Sequence, residues 1–245
     1  MDTNSENRAF GGVQGVYTHA SDVCGCDMTF GLYMPPREGP VPLLWYLSGL
    51  TCTHENAMTK AGAQTWCAEH GVAIVFPDTS PRGEDAADDE AYDLGKGAGF
   101  YVDATEDPWA PHFKMWSSGH CMGGHGALTI AMAHPDRCAS VSAFAPIANP
   151  TGSDWGKKQL LAYLGSDETA WRRHDSSVRM LEVGFDGPVL IDQGASDQFI
   201  DLLRPEALAD AIATRRQPAT MRLQKGYDHS YFFVSTFMED HVVFH

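Results

Sequence analysis

Ser118-Gly119-His120-Cys121-Met122-Gly123-Gly124-His125-Gly126-Ala127-Leu128 is the stretch whose reading decides the fold. It reads as a short strand, a sharp turn and the start of a helix. Gly119 and Gly123 flank position 121 as G-x-C-x-G, the nucleophile-elbow pattern with sulfur where the usual motif carries a hydroxyl. The glycines are required because the turn is strained and a Cβ at either place collides with the neighbouring strand or helix. The run on to His134, closed by Pro135, is rich in Ala, Leu, Ile and Met and fits a helix packed under the turn. The N-terminus of such a helix favours a thiolate at Cys121. On its own the pentapeptide decides little, because a Cys among small residues is more often an inert buried side chain. Support has to come from the rest of the chain.

Length and charge narrow the field. The 245 residues suit one domain, 1–245, with a sizeable core. A net charge of −15 argues against nucleic-acid binding and means that recognition of any anionic substrate must be local. No apolar run is long enough to span a bilayer, and Met1 to Asn7 has neither a basic nor an apolar leader region. A cytoplasmic protein with no membrane or nucleic-acid partner is expected. The six cysteines have no zinc-site spacing. Glu84, Asp85, Asp88, Asp89 and Glu90 match no metal loop and read as a solvated face.

Outward from the elbow, strands and helices alternate. Asp27–Met34, Leu43–Leu47, Val72–Phe76, Ala139–Phe144, Pro188–Asp192 and Met221–Gln224 read as strands, with Lys114–Ser118 entering the elbow. Met58–His70, Pro205–Arg216 and Tyr231–Val243 read as helices, and 146–175 as a mixed region with short helices. Thr79–Phe113, crowded with Asp, Glu, Gly and Pro, reads mostly as a solvated irregular loop. The alternation indicates an α/β fold with a mainly parallel sheet, whose reactive groups gather at the carboxyl ends of the strands.

A nucleophile needs a base, and the base an orienting group. Asp197 follows one predicted strand, and His229, in Gly226-Tyr227-Asp228-His229-Ser230, follows the last. Each alone is as well explained as a turn or capping residue. The order nucleophile, acid, histidine is that of α/β-hydrolases, and jointly it favours catalysis. The oxyanion hole then falls to the amide of Met122, just after the nucleophile, and to that of Leu50 in Ser48-Gly49-Leu50-Thr51. Cys52 sits beside that turn, where it either lines the pocket or is a buried small residue. His120 and His125 read as structural, bonding loop backbone. Such a triad calls for no metal and no organic cofactor.

With these pieces in place the chain resembles the S-formylglutathione hydrolase family, also called esterase D. The resemblance rests on Leu47-Ser48-Gly49-Leu50-Thr51-Cys52-Thr53, on Gly97 to Thr105, on the elbow, on Ser140 to Ile147, on Trp155-Gly156, on Ile191 to Gly194, on Asp197-Gln198-Phe199 and on Gly226 to Tyr231. It implies an α/β-hydrolase that cleaves the thioester S-formylglutathione to glutathione and formate, and short-chain esters besides. It implies catalytic roles for Cys121, Asp197 and His229, substrate contact at Cys52 and Trp155, and often a homodimer. Near Trp155, Lys157 and Lys158 are either solvated or attract a glutathione carboxylate.

The chain departs from that family twice. Cys121 stands where the family has serine, so either this is a cysteine hydrolase in its own right or sulfur has replaced the hydroxyl. Between Met115 and Ser118 the family carries an amphipathic helix and most of the elbow strand, and here both are missing. Parallel neighbours need such a crossover. Two rivals therefore stand beside the hydrolase: a homologue that binds glutathione-like ligands without turnover, and a general carboxylesterase or acyltransferase on the same fold.

Overall fold

The apolar runs become the central strands. In the computed structural model of the chain, which describes residues 1–114 and 119–245, an N-terminal hairpin comes first. Its strands β1 (Asp2–Ala9) and β2 (Gly12–Ser21) are followed by β3 (Cys26–Met34) and β4 (Leu43–Trp45). Helices α1 (His54–Lys60) and α2 (Ala63–His70) lead to β5 (Ala73–Pro77). The elbow strand β6 (Gly119–His120) and its helix α3 (Met122–Ala133) come next, then β7 (Val141–Phe144), α4 (Asp154–Leu164), α5 (Glu168–Trp171) and α6 (Ser176–Glu182). Strand β8 (Val189–Gly194), helices α7 (Ile200–Leu203) and α8 (Pro205–Arg215), strand β9 (Thr220–Gln224) and helix α9 (Tyr231–Phe244) complete the chain.

The strands form two sheets ordered β1-β2-β3-β5-β4 and β6-β7-β8-β9. The second is parallel throughout. In the first, β4 runs parallel to β5, while β1, β2, β3 and β5 pair antiparallel. The sheets abut where the His120 N–H donates to the Leu47 carbonyl at 2.9 Å, the one recorded backbone bond across that seam among the described residues. Between β5 and β6 the described residues form turns and bends and no helix. Among the described residues the elbow strand covers Gly119–His120. The expected strand Lys114–Ser118 falls, after Lys114, outside the described residues.

Several expectations shift. The helix foreseen over Met58–His70 is two helices that break at Gly62, whose φ of +67° ends one and starts the other. The loop Thr79–Phe113 is irregular, as its composition suggests, but only part of it, including the acidic cluster Glu84–Glu90, is solvated. Ser80, Asp93, Ala98, Phe100, Tyr101, Val102, Trp109 and Phe113 are buried, and most of them join the main core. Trp109, Phe113 and Tyr163 pack ring to ring with centroids 5.3–5.5 Å apart, so the loop is pinned onto α4. Behind β8, Asp192 is fully buried. It accepts from Arg222 Nε at 2.8 Å, Gln224 Nε2 at 2.8 Å and His241 Nε2 at 2.9 Å, and so ties β9 and α9 to the parallel half.

Candidate active site

The elbow is built as its glycines suggest. Cys121 has φ +57° and ψ −113°, a conformation that L-residues rarely hold, and it caps the N-terminus of α3. A Cβ at Gly123 would lie 2.6 Å from the Leu47 carbonyl carbon and 2.7 Å from the Leu47 Cβ. A Cβ at Gly49 would lie 3.2 Å from that of Cys121. The Ser48–Thr51 turn is therefore pressed against the elbow, and only glycine lets the two backbones approach so closely.

Asp197 and His229, 32 positions apart, meet at the carboxyl end of the parallel half. His229 Nδ1 donates to Asp197 Oδ2 at 2.6 Å. The same carboxylate accepts from Gln193 Nε2 at 2.9 Å and from the Phe199 amide at 2.8 Å. Burial favours a neutral Asp197, but its bonds from His229, Phe199 and Gln193 outweigh that and hold it below the usual carboxylate range. Burial likewise opposes charge on His229. The opposing charge of Cys121, the bond to Asp197 and that carboxylate's own charge prevail and push the imidazole up to about 10. Its Nε2 is buried, and Cys121 is its hydrogen-bonding neighbour. Sulfur, imidazole and carboxylate thus come together in the chain order foreseen.

Cys121 and His229 open on a cavity of about 330 Å³ lined also by Leu50, Cys52, Tyr92, Trp155, Phe199 and Tyr231. A somewhat larger cavity, about 390 Å³, lies beside β3 and β5 against Phe30, Trp45 and Val75 and holds none of these groups. The chemistry therefore points to the smaller one. Met122 buries its side chain in the core, and its amide is the first of α3. The Leu50 amide lies in the turn pressed on Cys121. Burial, the leading effect on Cys52, pushes its thiol up, so it stays protonated beside the nucleophile position.

His120 and Lys158 differ from the sequence reading, whereas His125 follows it. His125 bonds backbone, its Nδ1 lying 3.2 Å from the Ile147 carbonyl. His120, also expected to bond backbone, leaves both ring nitrogens without a partner and packs 4.7 Å from the His229 ring on the cavity wall. Burial first, and then His229, hold it well below its ordinary value, so it is neutral. Lys158 is exposed but ion-paired. Its Nζ sits 2.6 Å from Oδ1 of buried Asp93, whose Oδ2 accepts from Trp155 Nε1 at 3.0 Å and Gln159 Nε2 at 2.7 Å. Asp93 therefore fixes the indole that walls the cavity. Nothing in its acidic surroundings distinguishes it in sequence.

Comparison with known proteins places this geometry. The profile of the family described as "Putative esterase" matches residues 21–118 and 114–244, two pieces that overlap over 114–118, just before the elbow strand. An S-formylglutathione hydrolase of Paracoccus denitrificans (strain Pd 1222) is 64% identical over all of this chain and 96% of its own length. That match runs over 269 positions against 245 residues, so 24 have no counterpart here. The solved structure of an S-formylglutathione hydrolase from Agrobacterium tumefaciens superposes with a TM-score of 0.96 at 45% identity, covering 99% of this chain and 98% of the other. FphF, a fluorophosphonate-binding serine hydrolase of Staphylococcus aureus, shares the fold at a TM-score of 0.72 and 15% identity, over 95% and 97% of the two chains.

Proposed function

The chain belongs to this esterase family, and from that premise we propose that it hydrolyses S-formylglutathione to glutathione and formate through Cys121, His229 and Asp197. It is a hydrolase of thioester and ester bonds. The observation that carries the residue assignment is the 2.6 Å bond between His229 and Asp197 beside a cysteine held at φ +57° on a helix N-terminus. In this reading Cys121 attacks the formyl carbonyl, with His229 taking its proton or already paired with its thiolate. The Leu50 and Met122 amides receive the developing oxyanion. Glutathione leaves with a proton from His229 Nε2. His229, then neutral, removes a proton from water as that water attacks the formyl-cysteine. Formate departs and the thiol is restored. Asp197 holds the ring with Nδ1 protonated throughout. Trp155 and Cys52 border the glutathione moiety.

The same reading carries a cytoplasmic setting and a homodimer, and analytical ultracentrifugation tests the dimer. Among the described residues no helix is long and apolar enough to cross a membrane. Catalysis is tested by following S-formylglutathione and p-nitrophenyl acetate with the chain and with Cys121→Ala. Loss of both activities in the variant supports the assignment. Equal activity in the variant sinks it, and binding of glutathione thioethers by a chain that turns nothing over favours the binding-only homologue.

A further inference from the structure

We propose that the chain also exchanges acyl groups between thiols, passing the formyl group from one glutathione-type thiol to another in competition with water. The inference rests on the catalytic assignment above and on what sulfur at position 121 does to the intermediate. Attack by Cys121 forms a C–S bond and breaks a C–S bond, and the electron pair and one proton leave on the departing thiol. A thioester is replaced by a thioester, so the step is close to thermoneutral and runs backwards as easily as forwards. An acceptor thiol attacks the formyl-cysteine and gives its proton to His229 Nε2, Cys121 leaves with its electron pair, and the products are a new formyl thioester and the free enzyme. No oxidant or further reactant enters.

Two features of the site favour the thiol over water. The acceptor occupies the ground the leaving thiol has just vacated, so the cavity of about 330 Å³ that accepts one such thiol accepts the other. Phe199, Leu202, Leu203 and Trp155 make those walls largely apolar, which suits sulfur better than water. Cys52 does not divert the acyl group, because burial keeps its thiol protonated.

The test mixes S-formylglutathione with glutathione deuterated in its glycine and follows label entering the thioester by mass spectrometry, alongside formate release. In the chain the ratio of exchange to hydrolysis is expected above one. In Cys121→Ser, whose intermediate is an oxygen ester that a thiol attacks uphill, it is expected below one. Cys121→Ala gives the uncatalysed background for both. Exchange at background level beside measurable hydrolysis overturns the proposal, and so does an equal ratio in the serine variant. Neither outcome touches the hydrolase assignment. Exchange and hydrolysis both at background overturn the proposal and the assignment together. If the serine variant does not fold, the ratio in the parent chain above one, read against the alanine background, still decides.

Discussion

Gly123→Ala is the sharpest probe of how the elbow works. The added methyl would sit 2.6 Å from the Leu47 carbonyl carbon and 2.7 Å from the Leu47 Cβ. One of these contacts is main chain in the sheet and cannot rotate away. Relief to an ordinary separation of about 3.4 Å moves α3, or the β4 end, by roughly 0.8 Å. Cys121 is the cap of α3, two residues earlier, so most of that displacement passes to the sulfur. A misplacement near an angstrom costs on the order of 100-fold in rate. The overpacking itself should cost about 1–3 kcal/mol, a fall in Tm of roughly 2–12 °C for a chain of this size. The assay is kcat/KM for S-formylglutathione together with a thermal melt by circular dichroism. Iodoacetamide labelling shows whether the thiol is still accessible. A variant with parental kcat/KM and an unchanged Tm would refute the claim that the elbow is in hard contact with Leu47.

Asp197→Asn removes the carboxylate that holds His229 Nδ1 at 2.6 Å, and kcat should fall by about 10²–10⁴-fold with a smaller change in KM, read by initial rates. His229 is raised from 6.5 to about 10 in the folded chain. Its stabilising contribution is therefore complete below pH 6.5 and is lost as pH rises through about 10, so the Tm gap between the chain and His229→Gln should narrow over that window. Asp192 is lowered to about 2, burial being outweighed by its bonds from His241, Arg222 and Gln224. Its contribution is present above its ordinary value of 3.8 and is lost as pH falls towards 2. Arg222→Met should cost about 3 kcal/mol near neutrality, less in acid, by urea denaturation. Asp93→Ala frees Trp155 and leaves its indole N–H unpaired, which should raise KM for the glutathione thioester with little change in kcat and cost about 1–3 kcal/mol of stability.

The parts of this molecule legible in sequence are those that local chemistry or local periodicity writes down. The elbow glycines, the apolar runs at β5 and β8, and the polar residues that follow β8 and β9 all carry their reason within a few positions. The N-terminal hairpin does not. Strand β1 reads Asp2 to Ala9 with nearly every side chain exposed, so it has no apolar alternation to betray it and is held by its ladder to β2. Its turn uses Phe10 at φ +47° and Gly11 at φ +79°, and a phenylalanine there is no ordinary turn signal. The 79–113 loop hides its burial for a related reason. Phe100, Tyr101 and Trp109 face the core from irregular backbone, where neither period applies. Asp93 differs from Asp88 and Asp89 only in what the distant helix α4 brings to it. His120 sits beside the nucleophile in sequence, yet its want of a partner depends on Tyr231 and His229 folding over it.

The seam between the two sheets divides the machinery unequally. Cys121, Asp197 and His229 all hang from strands β6, β8 and β9, which share one ladder, whereas the Leu50 amide belongs to the turn after β4 on the other side. A single recorded amide-to-carbonyl link, His120 to Leu47, bridges the divide among the described residues. Strain applied across it would leave the nucleophile activated but starve the tetrahedral adduct of one of its two donors. An alkylating agent would then still find a reactive sulfur in a protein that had largely ceased to turn over, and thiol labelling would overstate how much working enzyme a preparation contains.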